Sequence, residues 1–131
     1  MAEVKQVQAI AKGVRIPPRK VGLVASLVRG RSVSDALTIL QHTPKRAALP
    51  VSKAIASARA NAINNHRVDE NSLVVSSLQV TSGPRLKRFR PVARGMAQPY
   101  QKQTSHIYVQ VTGTEKPRKT SAKQTATKED K

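Results

Sequence analysis

Two segments with alternating apolar residues, Leu73–Val80 and Ile107–Val111, are joined by a long connection, Ser82–Ser105. It carries Arg85, Lys87, Arg88, Arg90, Arg94 and Lys102. No Asp or Glu occurs anywhere from Asn71 to Thr114. Connections inside compact domains rarely exceed about 12–15 residues without a role of their own. The simplest geometry continues the two strands outward as one extended β-hairpin. At about 3.3 Å per residue, an arm of roughly twelve residues a side reaches some 40 Å. An isolated two-stranded hairpin is marginal in water, and like charges weaken it further. Such an arm is ordered by a surrounding polyanion: each Arg can make bidentate hydrogen bonds to phosphate, and displaced counterions add entropy. Ala93, Gly95 and Ala97 near the tip would let backbone approach nucleic acid closely. The alternative, a floppy basic loop, fits less well because flexible loops rarely exclude acids so completely.

The rest of the composition agrees. The chain has 131 residues and a formal net charge of +17, against a magnitude of about 2–8 for an ordinary small domain. That length allows one domain. Leu, Ile, Val and Phe make up a little under a quarter of the residues, enough for a thin core. Cysteine is absent, which excludes a disulfide scaffold and thiolate metal sites. No run approaches the roughly 18 apolar residues of a membrane span, and the first residues lack a signal-peptide core, so a cytoplasmic protein is expected. One Phe, two Tyr and no Trp argue against an aromatic platform for single strands.

The periodicity predicts an α+β fold: three helices packed on a small, about three-stranded antiparallel sheet, with the extended hairpin and a disordered basic C-terminal tail. Val4–Ala11 reads as a weak strand. The first helix starts near Pro17 and ends at Gly30, with Val21, Val24, Ala25 and Val28 as its apolar stripe and Leu23 and Leu27 widening it. The second starts at Ser32, whose spacing to Asp35 resembles a capping box, and buries Val33, Ala36, Leu37 and Leu40. The third is expected to start with Thr43 as cap and Pro44 as first residue, either kinking at Pro50 or becoming regular there. Its stripe is Ala47, Val51, Ile55, Ala58 and Ala62, and it runs towards Asn64 and Asn65. A polar bend, His66–Ser72, follows. Val74, Leu78 and Val80 are expected to share one strand face, and Ile107, Val109 and Val111 another. The expected organisation is a single domain over 1–112, with a body of 1–81 and 106–112 and a hairpin of 82–105. A tail over 113–131, without Val, Ile, Leu or aromatic residues, completes it.

Candidate binding residues form two sets. One is the cations of the hairpin, with Thr104, Ser105 and His106 at its end as hydrogen-bonding groups. The other is Arg15, Arg19, Lys20, Arg29 and Arg31, which bracket the first helix and read as phosphate contacts. Catalytic chemistry finds little support. Asp69 and Glu70 are adjacent, not a spaced acid/base pair. His42, His66 and His106 are scattered, so no metal site is expected. Ser105 and His106 are strand neighbours pointing to opposite faces, so they form no nucleophile–base pair. No phosphate-cradling glycine motif is present. An RNA-processing enzyme is therefore the weakest reading. A basic DNA-binding or chromatin-type protein, with the first two helices mimicking a helix-turn-helix, is the main alternative to a structural RNA-binding protein.

The run Gly83-Pro84-Arg85-Leu86-Lys87-Arg88, then Pro91, Ala93-Arg94-Gly95 and Thr104-Ser105-His106-Ile107, resembles the large-subunit ribosomal protein twenty-two family in its bacterial-type form. Earlier pieces agree in order: Pro18-Arg19-Lys20-Val21, Leu23-Val24, Leu27-Val28-Arg29-Gly30, Ala36-Leu37, Leu40, Ser57-Ala58 and Ala60-Asn61-Ala62. The likeness covers about residues 5 to 112. It implies a non-enzymatic structural constituent of the large ribosomal subunit that binds 23S-type rRNA in several domains and assists assembly. It also implies a hairpin whose tip (Arg90, Pro91, Val92, Ala93, Arg94, Gly95, Met96 and Ala97) lines the nascent-peptide exit tunnel, with Arg94 facing the lumen. The implied partners are rRNA, neighbouring large-subunit proteins around the tunnel exit and the nascent polypeptide. No cofactor, metal, small-molecule substrate, membrane or homo-oligomer is expected. Val92, Met96 and Gln103 stand where the family often has Arg or Lys, so this tip carries less charge. Pro50 and Pro99 are also unusual in their places.

Overall fold

The computed structural model describes residues 4–116. In chain order the elements are β1 (Val4–Val14), α1 (Pro18–Val28), α2 (Val33–His42), α3 (Ala48–His66), a short 3-10 turn at Glu70–Ser72, β2 (Val74–Ser82), β3 (Leu86–Pro91), a second 3-10 turn at Ala93–Gly95, β4 (Ala97–Lys102) and β5 (Ser105–Thr114). β1, β5 and β2 form an antiparallel sheet in that order, while β3 and β4 make a separate two-stranded ribbon. The three helices cover one face of the sheet. α3 lies across β1 and β5, and α1 lies against β2. The α+β architecture expected from the periodicity is present.

β5 explains why the layers hold together. Its alternation is complete: Ile107, Val109 and Val111 are fully buried, and His106, Tyr108 and Gln110 face the other way, half-buried. Period-two patterning puts every second side chain on the helix side. Against them lie Val51, Ile55, Ala58 and Ala62 of α3, all without exposed surface. The alanines let the helix approach closely, and each fully buried Val or Ile contributes about 1.5–3 kcal/mol.

The helix boundaries follow from local chemistry. α1 starts behind Pro17 with Pro18 in its first turn, and Gly30 takes the left-handed conformation (φ 73°) just beyond its end. The Asp35 N–H donates to Ser32 Oγ at 3.2 Å, the cap expected for α2. The start of α3 differs from the expectation. Thr43 ends α2 instead of capping α3: its N–H donates to the Leu40 carbonyl and its hydroxyl to the Ile39 carbonyl, 2.7 Å. Lys45 N–H then bonds back to the Thr43 carbonyl around Pro44, and α3 begins at Ala48. Pro50 falls in the first turn, where a missing N–H costs no intrahelical bond, so no kink is needed. Beyond His66, Arg67 is left-handed (φ 52°), and Val68 N–H closes onto the Ala62 carbonyl at 3.1 Å. The bend read as polar thereby hides a fully buried Val68.

Three more expectations are corrected. Leu23 is 73% exposed and Leu27 also points outward, so neither widens the α1 stripe. In β2 an extra residue, Ser76, bulges between the pairs Val75↔Val111 and Ser77↔Gln110. A bulge reverses side-chain parity, so Val75 and Leu78 are buried, Val80 packs at the margin and Val74 faces out. The 112/113 boundary moves: Gly113 and Thr114 complete β5, Glu115 bridges Val68, and Lys116 N–H bonds the Arg67 carbonyl. Gly113 is required there, since an added Cβ would lie 2.5 Å from Val68 Cγ1. The expected tail from residue 117 onward lies outside the described residues. β1 also continues past Ala11, through a bulge at Gly13 (φ 71°), to pair Val14 with Ser105.

Truncating Ile55 removes the centre of the helix–sheet contact. Ile55→Ala is expected to lower unfolding free energy by about 2–5 kcal/mol in urea titrations of the free protein. The ribbon behaves oppositely. From Lys87 to Gln103 every side chain is exposed, so in the RNA-free protein its amides are expected to exchange orders of magnitude faster than those of β5.

Candidate nucleic-acid interface

The ribbon is the continuation of β2 and β5. Ser82 pairs with Ser105, Gly83 N–H donates to the Thr104 carbonyl at 2.8 Å, and pairing resumes at Leu86↔Lys102. Residues 83–85 oppose only 103–104, so the arm leaves the sheet through a second irregularity in the same strand. Strand alternation then sorts its side chains. Leu86, Arg88 and Arg90 share a face with Gln98, Tyr100 and Lys102; Lys87, Phe89 and Pro91 share the other with Ala97, Pro99 and Gln101. One face carries three cations. The other carries one and is otherwise mostly apolar, with Phe89 73% exposed. Both strands are edges, and Pro91 and Pro99 remove donors a third strand would need.

Energetics show why the arm needs a partner. Fixing a residue's backbone costs about 1–2 kcal/mol, and each strand here is six residues long. Cross-strand pairs return about 0.2–1 kcal/mol each. The Arg90 guanidinium sits 5.2 Å from the Tyr100 ring centre, a contact worth about 0.5–1 kcal/mol when exposed. These terms fall short of the ordering cost, and the like charges oppose them.

At the tip, Arg90, Pro91 and Ala97 belong to the strands, and Val92–Met96 form the turn, closed by Val92 N–H to the Met96 carbonyl at 2.9 Å. Arg94 and Gly95 are both left-handed, with φ of 61° and 71°. A left-handed arginine costs about 1–2 kcal/mol relative to the ordinary region and projects its charge from the apex.

At the root, the expected hydrogen-bonding trio has another task. Ser105 has no exposed surface and Thr104 only 5%. The Thr104 hydroxyl donates to the Pro84 carbonyl at 2.7 Å, and His106 Nδ1 accepts from Gly13 N–H at 3.0 Å. An added Cβ on Gly83 would lie 2.5 Å from Thr104 Oγ1. These residues lock the arm to the sheet, and the nucleic-acid contact expected of Ser105 is closed off by its burial.

The body cations divide. Arg15, Arg19 and Lys20 are exposed at the start of α1, and Arg15 shares a cleft with Arg88 and Lys102 of the arm. Arg29 and Arg31 lie towards the other end, next to the Gly30–Val75 hydrogen bond. There Arg29 Nε donates to the Leu78 carbonyl and Arg31 Nε to the Leu27 carbonyl, at 2.8 and 2.9 Å. Acids gather at that end as well. Asp69 N–H bonds the Thr114 carbonyl, and Asp69, Glu70 and Glu115 pair with Lys116, Arg59 and Lys5. Asp35 follows Ser32, which bridges Val74. All described acids therefore sit away from the arm, at the far end of β5.

Among the described residues no group of His, Asp and Glu could hold a metal, and Asp69 and Glu70 are occupied in ion pairs. A helix-turn-helix reading loses support because α2, its recognition helix, contains no Lys or Arg. Sequence reasoning also missed Lys45 and Arg46, which line a second cleft with Arg15 and Lys20. Their signal was present, two cations beside Pro44, but the misplaced start of α3 concealed it.

The model of one protein family, described as ribosomal protein L22p/L17e, matches residues 9–112. That range takes in most of β1, all three helices, the ribbon and nearly all of β5. With the match running over 104 of the 131 residues, the chain belongs to the ribosomal protein L22p/L17e family and is a structural constituent of the large ribosomal subunit.

Proposed function

We propose that the chain binds large-subunit rRNA with its arm threaded through the folded RNA and its body anchored beside the entry point. The observation that carries this reading is the acid-free ribbon whose side chains are all exposed from Lys87 to Gln103. Arg85, Lys87, Arg88, Arg90, Arg94 and Lys102 neutralise phosphates along the arm. Arg15, Arg19 and Lys20 extend that contact onto the body, while Arg29 and Arg31 contribute at its edge alongside their backbone hydrogen bonds. The acids at the opposite end orient the molecule, because like-signed phosphate repels that end and attracts the other.

In this reading the tip, Arg90 to Ala97, reaches the nascent-peptide tunnel, with Arg94 at the apex facing the lumen. Gly95 and the small Ala93 keep the turn narrow. An arm that becomes rigid only inside RNA also couples binding to RNA folding, which gives the protein a part in early subunit assembly. Neighbouring large-subunit proteins at the tunnel exit, and the growing polypeptide at the tip, are the further partners.

Charge reversal on the arm tests the reading. Lys87→Glu with Arg88→Glu is expected to give large subunits that assemble slowly and lack the protein in gradient fractions. Normal incorporation at normal speed would contradict the threaded arm. For the isolated protein and an rRNA fragment, neutralising six to ten phosphates predicts a loss of about 10³–10⁵ in affinity between 50 and 200 mM salt. A flat response would remove phosphate contact as the main source of affinity.

A further inference from the structure

Two clefts meet at the elbow between body and arm. The first, about 450 Å³, has Ile16, Pro17, Leu23 and Ala47 as its apolar floor and wall, with Arg15, Lys20, Lys45 and Arg46 around it. The second, about 590 Å³, runs between Pro17 and the arm's root at Leu86, Arg88 and Lys102. Arg15 and Pro17 line both, so they form one groove. Neither is lined by an acid. Local chain geometry presents its cations: Ile16 N–H bonds the Val14 carbonyl across Arg15, and Lys45 N–H bonds the Thr43 carbonyl across Pro44, at 2.9 and 2.8 Å. Both are three-residue turns, and they hold Arg15 and Lys45–Arg46 out of the regular elements on either side of the cleft. Leu23, 73% exposed on the surface of α1, has its side of the cavity left open.

We infer that this elbow groove binds a single-stranded segment of RNA, with its phosphates on Arg15, Lys20, Lys45, Arg46, Arg88 and Lys102 and one unstacked base seated on the Leu23–Pro17 floor. The inference rests on the RNA-binding reading above and adds a second site to it, centred on body residues outside the arm and bordered by the arm's root at Arg88 and Lys102. Charge complementarity selects the polyanion. The apolar floor selects the strand type: a duplex keeps its bases stacked and offers the protein sugar and phosphate, whereas looped-out nucleotides present a flat apolar face. The first cleft lies within the roughly 300–1,000 Å³ range of small-ligand sites, large enough for a base. A polypeptide run of Asp and Glu alone would satisfy the cations, but its carboxylate side chains have no flat apolar face to set on Leu23.

The test uses the full chain and three probes: a twelve-nucleotide uridine oligomer, the same oligomer made abasic, and a twelve-base-pair RNA duplex. Lys45→Ala with Arg46→Ala is expected to weaken oligomer binding and to flatten the slope of log K against log salt by about 1.4, two contacts at about 0.7 each for a single strand. Lys53→Ala, an exposed cation of α3 that lines neither cleft, serves as the matched control. Leu23→Ala is expected to cost about tenfold for the uridine oligomer, the order of one or two lost buried methylene contacts, and nothing for the abasic oligomer. These residues are exposed, so unfolding midpoints should stay unchanged. If the Lys45/Arg46 variant binds like the parent while Arg90→Ala with Arg94→Ala weakens binding, the groove is overturned and the arm's role stands. If neither variant matters, both readings fall. Equal loss for duplex and oligomer, equal loss for abasic and uridine oligomers at Leu23, or tighter binding of polyglutamate would each overturn the single-strand assignment.

Discussion

The middle position of β5 is the constraint from which the architecture follows. It pairs with β1 on one edge and β2 on the other, and its three buried aliphatic side chains are the floor on which α3 rests. Its two ends have opposite surroundings. At Ser105 the sheet narrows into the ribbon, and at Thr114 it meets the turn that gathers Asp69, Glu70 and Glu115. A single strand thus sets the core, the exit direction of the arm and the axis along which charge is divided.

That division matters more than the total charge. A uniformly basic surface would bind any polyanion in many orientations. Among the described residues, the body holds Asp69, Glu70 and Glu115 in ion pairs at one end and leaves the other without an acid. The arm carries the argument to its limit, since no hydrophobic burial of its own offsets its ordering cost. In the proposed reading its stability in place comes from outside, from phosphate contact and counterion release. The root is built in the opposite manner, with buried Thr104 and Ser105 and with Gly83 admitting close contact with Thr104. A rigid base and a partner-dependent shaft suit the proposed role, in which the arm enters RNA at a defined angle and then conforms to it.

Patterns repeating over several residues were legible in the sequence. The α1 stripe, the Ser32 cap, the α3 series and the β5 alternation all appear where period and chemistry placed them. Failures came where one residue altered the count. Ser76 shifted the β2 parity and turned Val74 outward. Pro44 bent the chain into a tight turn where a helix start was expected. Leu23 looked like a widening of the α1 stripe but lies on the exposed side of the helix. The candidate site divides in the same way. Its arm was visible as a run of one charge sign, while Lys45 and Arg46 became part of it only through the packing of α2 and α3.

The amino-acid order by itself determined the helices, the central strand and the acid-free arm, because periodicity and charge sign are local properties of a chain. It also determined membership in the family, through many short motifs in one order. Tertiary structure alone decided which polar residues are surface and which are root. Ser105, Thr104 and His106 read as binding groups until strand pairing on both sides buried them or used their hydrogen bonds. It alone placed the acids at the far end of β5 and joined Arg15 to both Arg46 and Arg88 in one groove. Those outcomes depend on contacts between residues distant in sequence, and no window of neighbouring residues contains them.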